Sequence, residues 1–141
     1  DLVAPVTQAL GAERAFYKIA MRPGKPLMAG RLFDALMVGL PGNPVSAMVC
    51  GTVFVAPVIR KMLGLGAAPP VLMTAPLGEN IAANGPRAHY MRATLRDGAV
   101  FPADQQDSSL LSVLSTADAL LVRPIDDPAR RTGDPVSYIQ I

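Results

Sequence analysis

The apolar positions of the first sixty residues change period from segment to segment. Residues 1–10 place Leu, Val and Ala at helical spacing, and Gly11 follows where a helix end favours a left-handed residue. The run AFYKIA (15–20) reads as a strand, MRPGKP (21–26) as a loop and ALMVGL (35–40) as a second strand. Residues 44–63 then read as one long apolar helix. ALMVGL carries no polar side chain, as expected of a strand covered on both faces. Strands alternating with helices point to a parallel or mixed α/β sheet.

GLGAAPP (64–70) is the most linker-like stretch, and the pattern changes beyond it. Short β-type runs recur at VLMTAPL, HYMRATL, AVFPA, ALLVRP and PVSYIQI, divided by Gly, Pro, Asn and Asp. Their spacing of about a dozen residues suits a small β-barrel or sandwich. SSLLSVLSTA interrupts them with a helical pattern, for which Ser108 or Ser109 is the candidate N-cap. The expected architecture is α/β followed by all-β. Residues 1–66 form the tail of an α/β domain, and residues 67–141 form a small C-terminal β-barrel.

Composition narrows the function classes. Half of the 141 residues are hydrophobic and 17% are charged, so the chain can bury a core. The net charge is only +2 with Lys and Arg scattered, and there is no Trp, which leaves no case for nucleic acid. One cysteine, Cys50, rules out an internal disulfide and fits a reducing compartment. Its apolar neighbours mark it as a buried, inert thiol. With one Cys and one His, a zinc site is excluded. The apolar run 45–65 is long enough to span a bilayer, but Gly51, Pro57, Arg60, Lys61 and Gly64 interrupt it. A buried helix is expected there rather than a membrane segment. The N-terminus lacks the pattern of a signal peptide. With no initiating Met and a helix already under way, the chain is expected to be a piece of something longer.

Two loops carry candidate chemistry. In GLPGNPVSA (39–47), Asn43 suits an N-cap and Pro44 the first helical position. Val45 and Ser46 then present N–H groups at the positive end of the helix, where an anion would sit. Asn43 satisfying those donors itself is the competing, purely structural reading. Gly42 would let a ligand approach the backbone. In MRPGKP, Arg22 and Lys25 flank a Pro-stiffened turn, and two cations at that spacing suit an oxyanion; an exposed basic turn is the alternative. Both loops follow strands, and ligands of open α/β sheets collect beyond strand ends. GPRAHYMR puts Arg87 and Arg92 at the start of a strand, to face a ligand or merely to close a turn, beside His89, which reads as an ordinary strand residue. Asp126, Asp127 and Asp134 sit in turns and make no paired-carboxylate site.

Taken together, MRPGKP, GLPGNPVSA, PRAHYMR and QDSSLLSVLSTADALLVRP resemble the molybdopterin molybdenumtransferase family, which includes the E domain of gephyrin. The resemblance runs along the whole chain and implies its C-terminal portion: the second half of a molybdopterin-binding α/β domain and the C-terminal β-barrel domain. It implies an enzyme that inserts molybdenum from molybdate into adenylylated molybdopterin with Mg²⁺ and releases AMP, and that works as a cytoplasmic homodimer. Carried over by residue, Arg22 lines the molybdate approach, Lys25 and Pro26 contact the oxyanion, and Ser46 lies near it. Arg87 and Ser108 close over it from the opposite wall. The thiolates that take the metal belong to the substrate, so no protein ligand cluster is needed. The family's Gly-Gly-x-Ser-x-Gly-x-x-Asp motif and its Mg²⁺ carboxylates fall outside these residues, and His89 stands where relatives often carry an acid. The chain alone is therefore expected to be inactive. The alternatives are a non-catalytic oxyanion or pterin module, or a scaffold domain.

Overall fold

The computed structural model of the chain describes residues 2–107, 109 and 111–141. Helix α1 (Val3–Ala9) ends at Leu10, and Gly11 follows with φ +85. Strand β1 (Glu13–Tyr17) starts earlier than AFYKIA suggests and stops at Lys18, whose φ of 65 breaks the extended run. A strand absent from the sequence reading, β3 (Met28–Leu32), pairs antiparallel with β1 and with β4 (Ala35–Gly39). These three form a sheet in the order β1–β3–β4, so the expected parallel or mixed pairing is not found there. The link between β3 and β4 is two residues long, which permits only a hairpin. Coverage of β4 on both faces is also not observed, since Ala35 and Leu36 are exposed and the rest only half-buried.

Pro44–Met62 is the stretch, among the described residues, long and apolar enough to cross a membrane by length and composition. It comprises α2 (Pro44–Cys50), a π-helical turn (Gly51–Val55) and α3 (Ala56–Met62). The wide turn falls just before Pro57, which lacks an N–H and whose ring would strike the carbonyl of Val53 in a regular helix. The expected burial holds for the first part only. Val45, Ser46, Val49, Cys50 and Val53 are buried, whereas α3 has no buried residue.

The second sheet contains β2 (Met21–Arg22), β5 (Met73–Pro76), β6 (Ala88–Arg96), β7 (Ala99–Pro102), β8 (Ala119–Arg123) and β9 (Pro135–Gln140). Its order is β2–β6–β8–β9–β5, with β7 beside β6. The five β-type runs of the sequence thus all become strands, and the helical interruption becomes α4 (Leu111–Ser115). Among the described residues these strands do not close into a barrel. Their edges meet at one bridge, Leu77 with Val100, beside which the Gly78 N–H donates to the Val100 carbonyl at 2.8 Å. β2 pairs parallel with β6, with Met21 opposite Ala88 and Arg22 opposite His89.

Two buried clusters hold the molecule together. One lies between helix and second sheet and joins Met21, Leu27, Val49, Cys50 and Val53 to Leu120 and Ile139. The other joins Leu77, Ala93, Val100, Ala119, Leu121, Val136 and Tyr138. Along β6, Ala88 and Tyr90 pack toward the first cluster, and Met91, Ala93 and Leu95 toward the second. That is the alternation a strand imposes.

Candidate functional site

The MRPGKP loop is held as a rigid projection. Its backbone closes through the Leu27 N–H to the Gly24 carbonyl at 3.0 Å and the Ile19 N–H to the Lys25 carbonyl at 3.0 Å. Leu27 anchors it in the core, and the Arg22–Pro23 bond is cis. Gly24 has φ +114, and a Cβ there would stand 2.6 Å from the Cys50 sulfur. The loop therefore leans directly on α2, with Arg22, Lys25 and Pro26 left exposed.

At the start of α2, Asn43 is the N-cap. Its Oδ1 accepts from the Ser46 N–H at 3.1 Å and from the Ser46 hydroxyl at 3.3 Å. The structural reading of that turn is thus realised: Asn43 answers the donors that an anion was expected to use. The buried Ser46 oxygen keeps its lone pairs, and its proton must rotate away from Asn43 to serve a ligand.

A cavity of about 370 Å³ opens where these elements meet β6. Residues 21–26 of the loop and Ser46 of α2 line it from one part of the chain, while Arg87, His89, Gln106 and Asp107 come from the second sheet and its loops. Arg22, Lys25, Pro26, Ser46 and Arg87 are thereby brought together. Gly42 and Asn43 are not among its lining residues, and Ser108 lies outside the described residues. A second cavity of about 290 Å³ shares Arg22, His89 and Gln106 and continues past Asn80, Asn84, Asp104 and Arg123.

Electrostatics set the character of this cavity. His89 is buried, and desolvation together with Arg22, Arg92, Arg123 and Arg87 lowers its pKa to about 3. The ring is neutral at pH 7, because burial and the surrounding arginines both disfavour its protonated form. Asp107 accepts from the Ser109 N–H at 2.8 Å, and its hydrogen bonds from Ser109 hold the carboxyl below its ordinary range. Cys50 is buried and its thiol is pushed up to about 11, which makes it inert.

Several residues that matter here escaped the sequence reading. His89 is a cavity residue, and Arg92 is fully buried in β6. Asp127 is not a simple turn residue: it pairs with Arg123 Nε and with Arg130 Nη2, the latter at 2.5 Å. Burial pushes its carboxyl up, but the bonds from Arg130 and Arg123 outweigh this and hold it below the ordinary range. The available signal was an arginine inside an otherwise apolar strand, as in HYMRATL and ALLVRP. Such a charge needs a partner. Among the described residues no group of three or more His, Cys, Asp or Glu side chains could hold a metal. These residues do not fit a Mg²⁺ site.

The site is thus a polar, multiply cationic cavity between a loop, a helix start and a sheet, on a mixed α/β fold with few helices. Such a site suits a compact anion. Comparison with known proteins gives the family. The family model described as the MoeA C-terminal region (domain IV) matches residues 74–141, and that of a probable molybdopterin binding domain matches residues 1–61. Molybdopterin molybdenumtransferase of Nostoc sp. is 31% identical over 100% of this chain and 34% of its own length. The Bacillus subtilis protein of that name is 28% identical over the same shares. A Haemophilus influenzae relative is 53% identical over 45% of this chain and 16% of its own length. In structure, the molybdopterin biosynthesis MoeA protein from Pyrococcus horikoshii matches with a TM-score of 0.84 at 25% identity, over 99% of this chain and 34% of the other. The chain belongs to the molybdopterin molybdenumtransferase family, whose C-terminal portion it represents. It spans about a third of the length of the curated relatives named above that it matches end to end.

Proposed function

We propose that this chain forms the oxyanion-holding wall of a molybdenum-inserting transferase in molybdenum cofactor biosynthesis. The observation that carries the reading is the convergence of Arg22, Lys25 and Arg87, with Ser46, on one cavity from three separate elements. In this reading molybdate is the substrate held there, as a tetrahedral dianion. Lys25 acts as a point charge, and Arg22 and Arg87 present planar forks to its oxygens. The Pro26 ring stiffens the loop, and Ser46 touches the ligand once its hydroxyl turns from Asn43. Adenylylated molybdopterin supplies the dithiolene sulfurs that take the metal, and AMP leaves. The protein's part is charge and orientation, not a nucleophile. Ser108 belongs to the far wall in the same reading, and Mg²⁺ is held by residues other than these.

The same reading divides the chain into a molybdopterin-binding portion (1–66) and a C-terminal β-rich domain (67–141), and makes the working protein a cytoplasmic homodimer. The test is cofactor formation by the full-length protein that contains this chain, measured at limiting and at saturating molybdate. Lys25→Ala and Arg87→Ala are expected to lose activity at limiting molybdate and regain most of it at saturation. Unchanged activity of both variants at limiting molybdate overturns the reading. Molybdate binding without any transfer reduces the site to a binding module.

A further inference from the structure

Arg92 and Arg123 are both buried arginines of the second sheet, and they are treated differently. Arg123 is answered in full, by the Asp127 carboxylate and by the carbonyls of Ala82 and Pro128. Arg92 has no exposed surface, and no carboxylate lies within ion-pairing distance among the described residues. Its Nη2 donates to the Asp107 carbonyl at 3.0 Å, while Nε and Nη1 have no hydrogen-bond partner among the described residues. A buried cation with two idle donors weakens a fold, and an apolar side chain of similar volume would serve packing better.

Its surroundings say what it is for. Arg92 sits opposite Leu120, which belongs to the cluster shared with α2, so strand alternation puts it on the Tyr90 face of β6 rather than with Met91 and Ala93. Its main chain is clamped to the 103–107 segment. The Arg92 N–H donates to Gln106 Oε1 at 3.0 Å, and Gln106 Nε2 donates to the carbonyls of Arg92 at 2.9 Å and Ala103 at 2.8 Å. Gln106 and Asp107, the end of that segment, form one side of the cationic cavity.

We propose that Arg92 is the positioning residue of the oxyanion site: it fixes the Gln106–Asp107 wall through the Asp107 carbonyl and keeps behind that wall a positive charge that the Asp107 carboxylate faces only from beyond ion-pairing distance. This rests on the oxyanion reading given above and adds a residue that touches no ligand itself. The charge that destabilises the empty site favours the dianion when it enters.

The experiment titrates the chain with molybdate. Calorimetry gives the dissociation constant, and the ¹H–¹⁵N signal of Arg92 Nε is followed by NMR. The Arg92 Nε signal is expected to move and saturate with the same constant. Arg92→Met is expected to melt no lower than the unmodified chain yet bind about tenfold more weakly or worse, the loss expected of a charged group. Arg92→Lys, which keeps the charge but not the fork, should recover part of that loss. A lower melting temperature with unchanged affinity, or a stationary Nε signal at saturation, overturns the proposal and makes Arg92 structural. Should Arg92→Met not fold, the NMR signal and Arg92→Lys decide. Absence of binding by the unmodified chain removes the site reading and this proposal together. Normal binding in Arg92→Met removes this proposal alone.

Discussion

The tightest constraint on the cavity falls on a residue without a side chain. Gly24 combines φ +114 with the Cys50 sulfur at its back, so any Cβ there is both strained and obstructed. Gly24→Ala is expected to cost about 1–3 kcal/mol in urea denaturation, and to displace Lys25 with the loop. His89 gives a pH signature. Its folded-state pKa of about 3 lies below the ordinary 6.5, so below pH 6.5 the unfolded chain binds a proton that the folded chain refuses. The stability it contributes is complete above pH 6.5 and is lost as pH falls toward 3, by up to about 1.4 kcal/mol per unit. Denaturant titrations between pH 7 and 4 should show this slope reduced in His89→Gln. At this scale the sequence revealed the exposed cations of MRPGKP, because Pro and Gly announce a rigid turn around them. It did not single out His89 or Arg92, because a polar residue in a strand declares its need for a partner without saying where the partner lies.

Elements with regular alternation were the most legible. ALLVRP and PVSYIQI became β8 and β9 because β-branched and apolar residues recur at strand spacing. β3 was missed because MAGRL offers Ala, Gly and Arg, none a strong strand former, and is held by its two neighbours instead. The helix start was legible as a cap, and its strength can be measured. Asn43→Ala removes the acceptor for the Ser46 N–H and hydroxyl, and should lower stability by about 1 kcal/mol in thermal or urea unfolding. The turn after β8 is pinned more firmly, since Asp127 answers two arginines at once. Asp127→Asn leaves Arg123 buried without a counter-charge and should cost about 3 kcal/mol in the same measurement.

Across the whole molecule, the division at GLGAAPP is visible in the changing pattern, but the packing crosses it. Met21, Val49 and Val53 share a cluster with Leu120 and Ile139, and β2 joins the second sheet beside β6. Both contacts depend on residues about seventy or more apart in sequence, which periodicity does not report. Calorimetry should therefore show one unfolding transition. Leu120→Ala should lower it as a unit by about 2–5 kcal/mol, without releasing either half first; two separated transitions would contradict a shared core. The cavity inherits this geometry, for its walls come from residues as distant as Met21 and Asp107. No part of the unfolded chain reproduces it, so an oxyanion held there is a ligand of the native state alone. Each tenfold excess of such an ion over its dissociation constant then adds about 1.4 kcal/mol to the folding free energy. Phosphate or sulfate in a buffer that competes for the site becomes a hidden stabiliser, and melting temperatures of this chain are comparable only between solutions matched in tetrahedral anions.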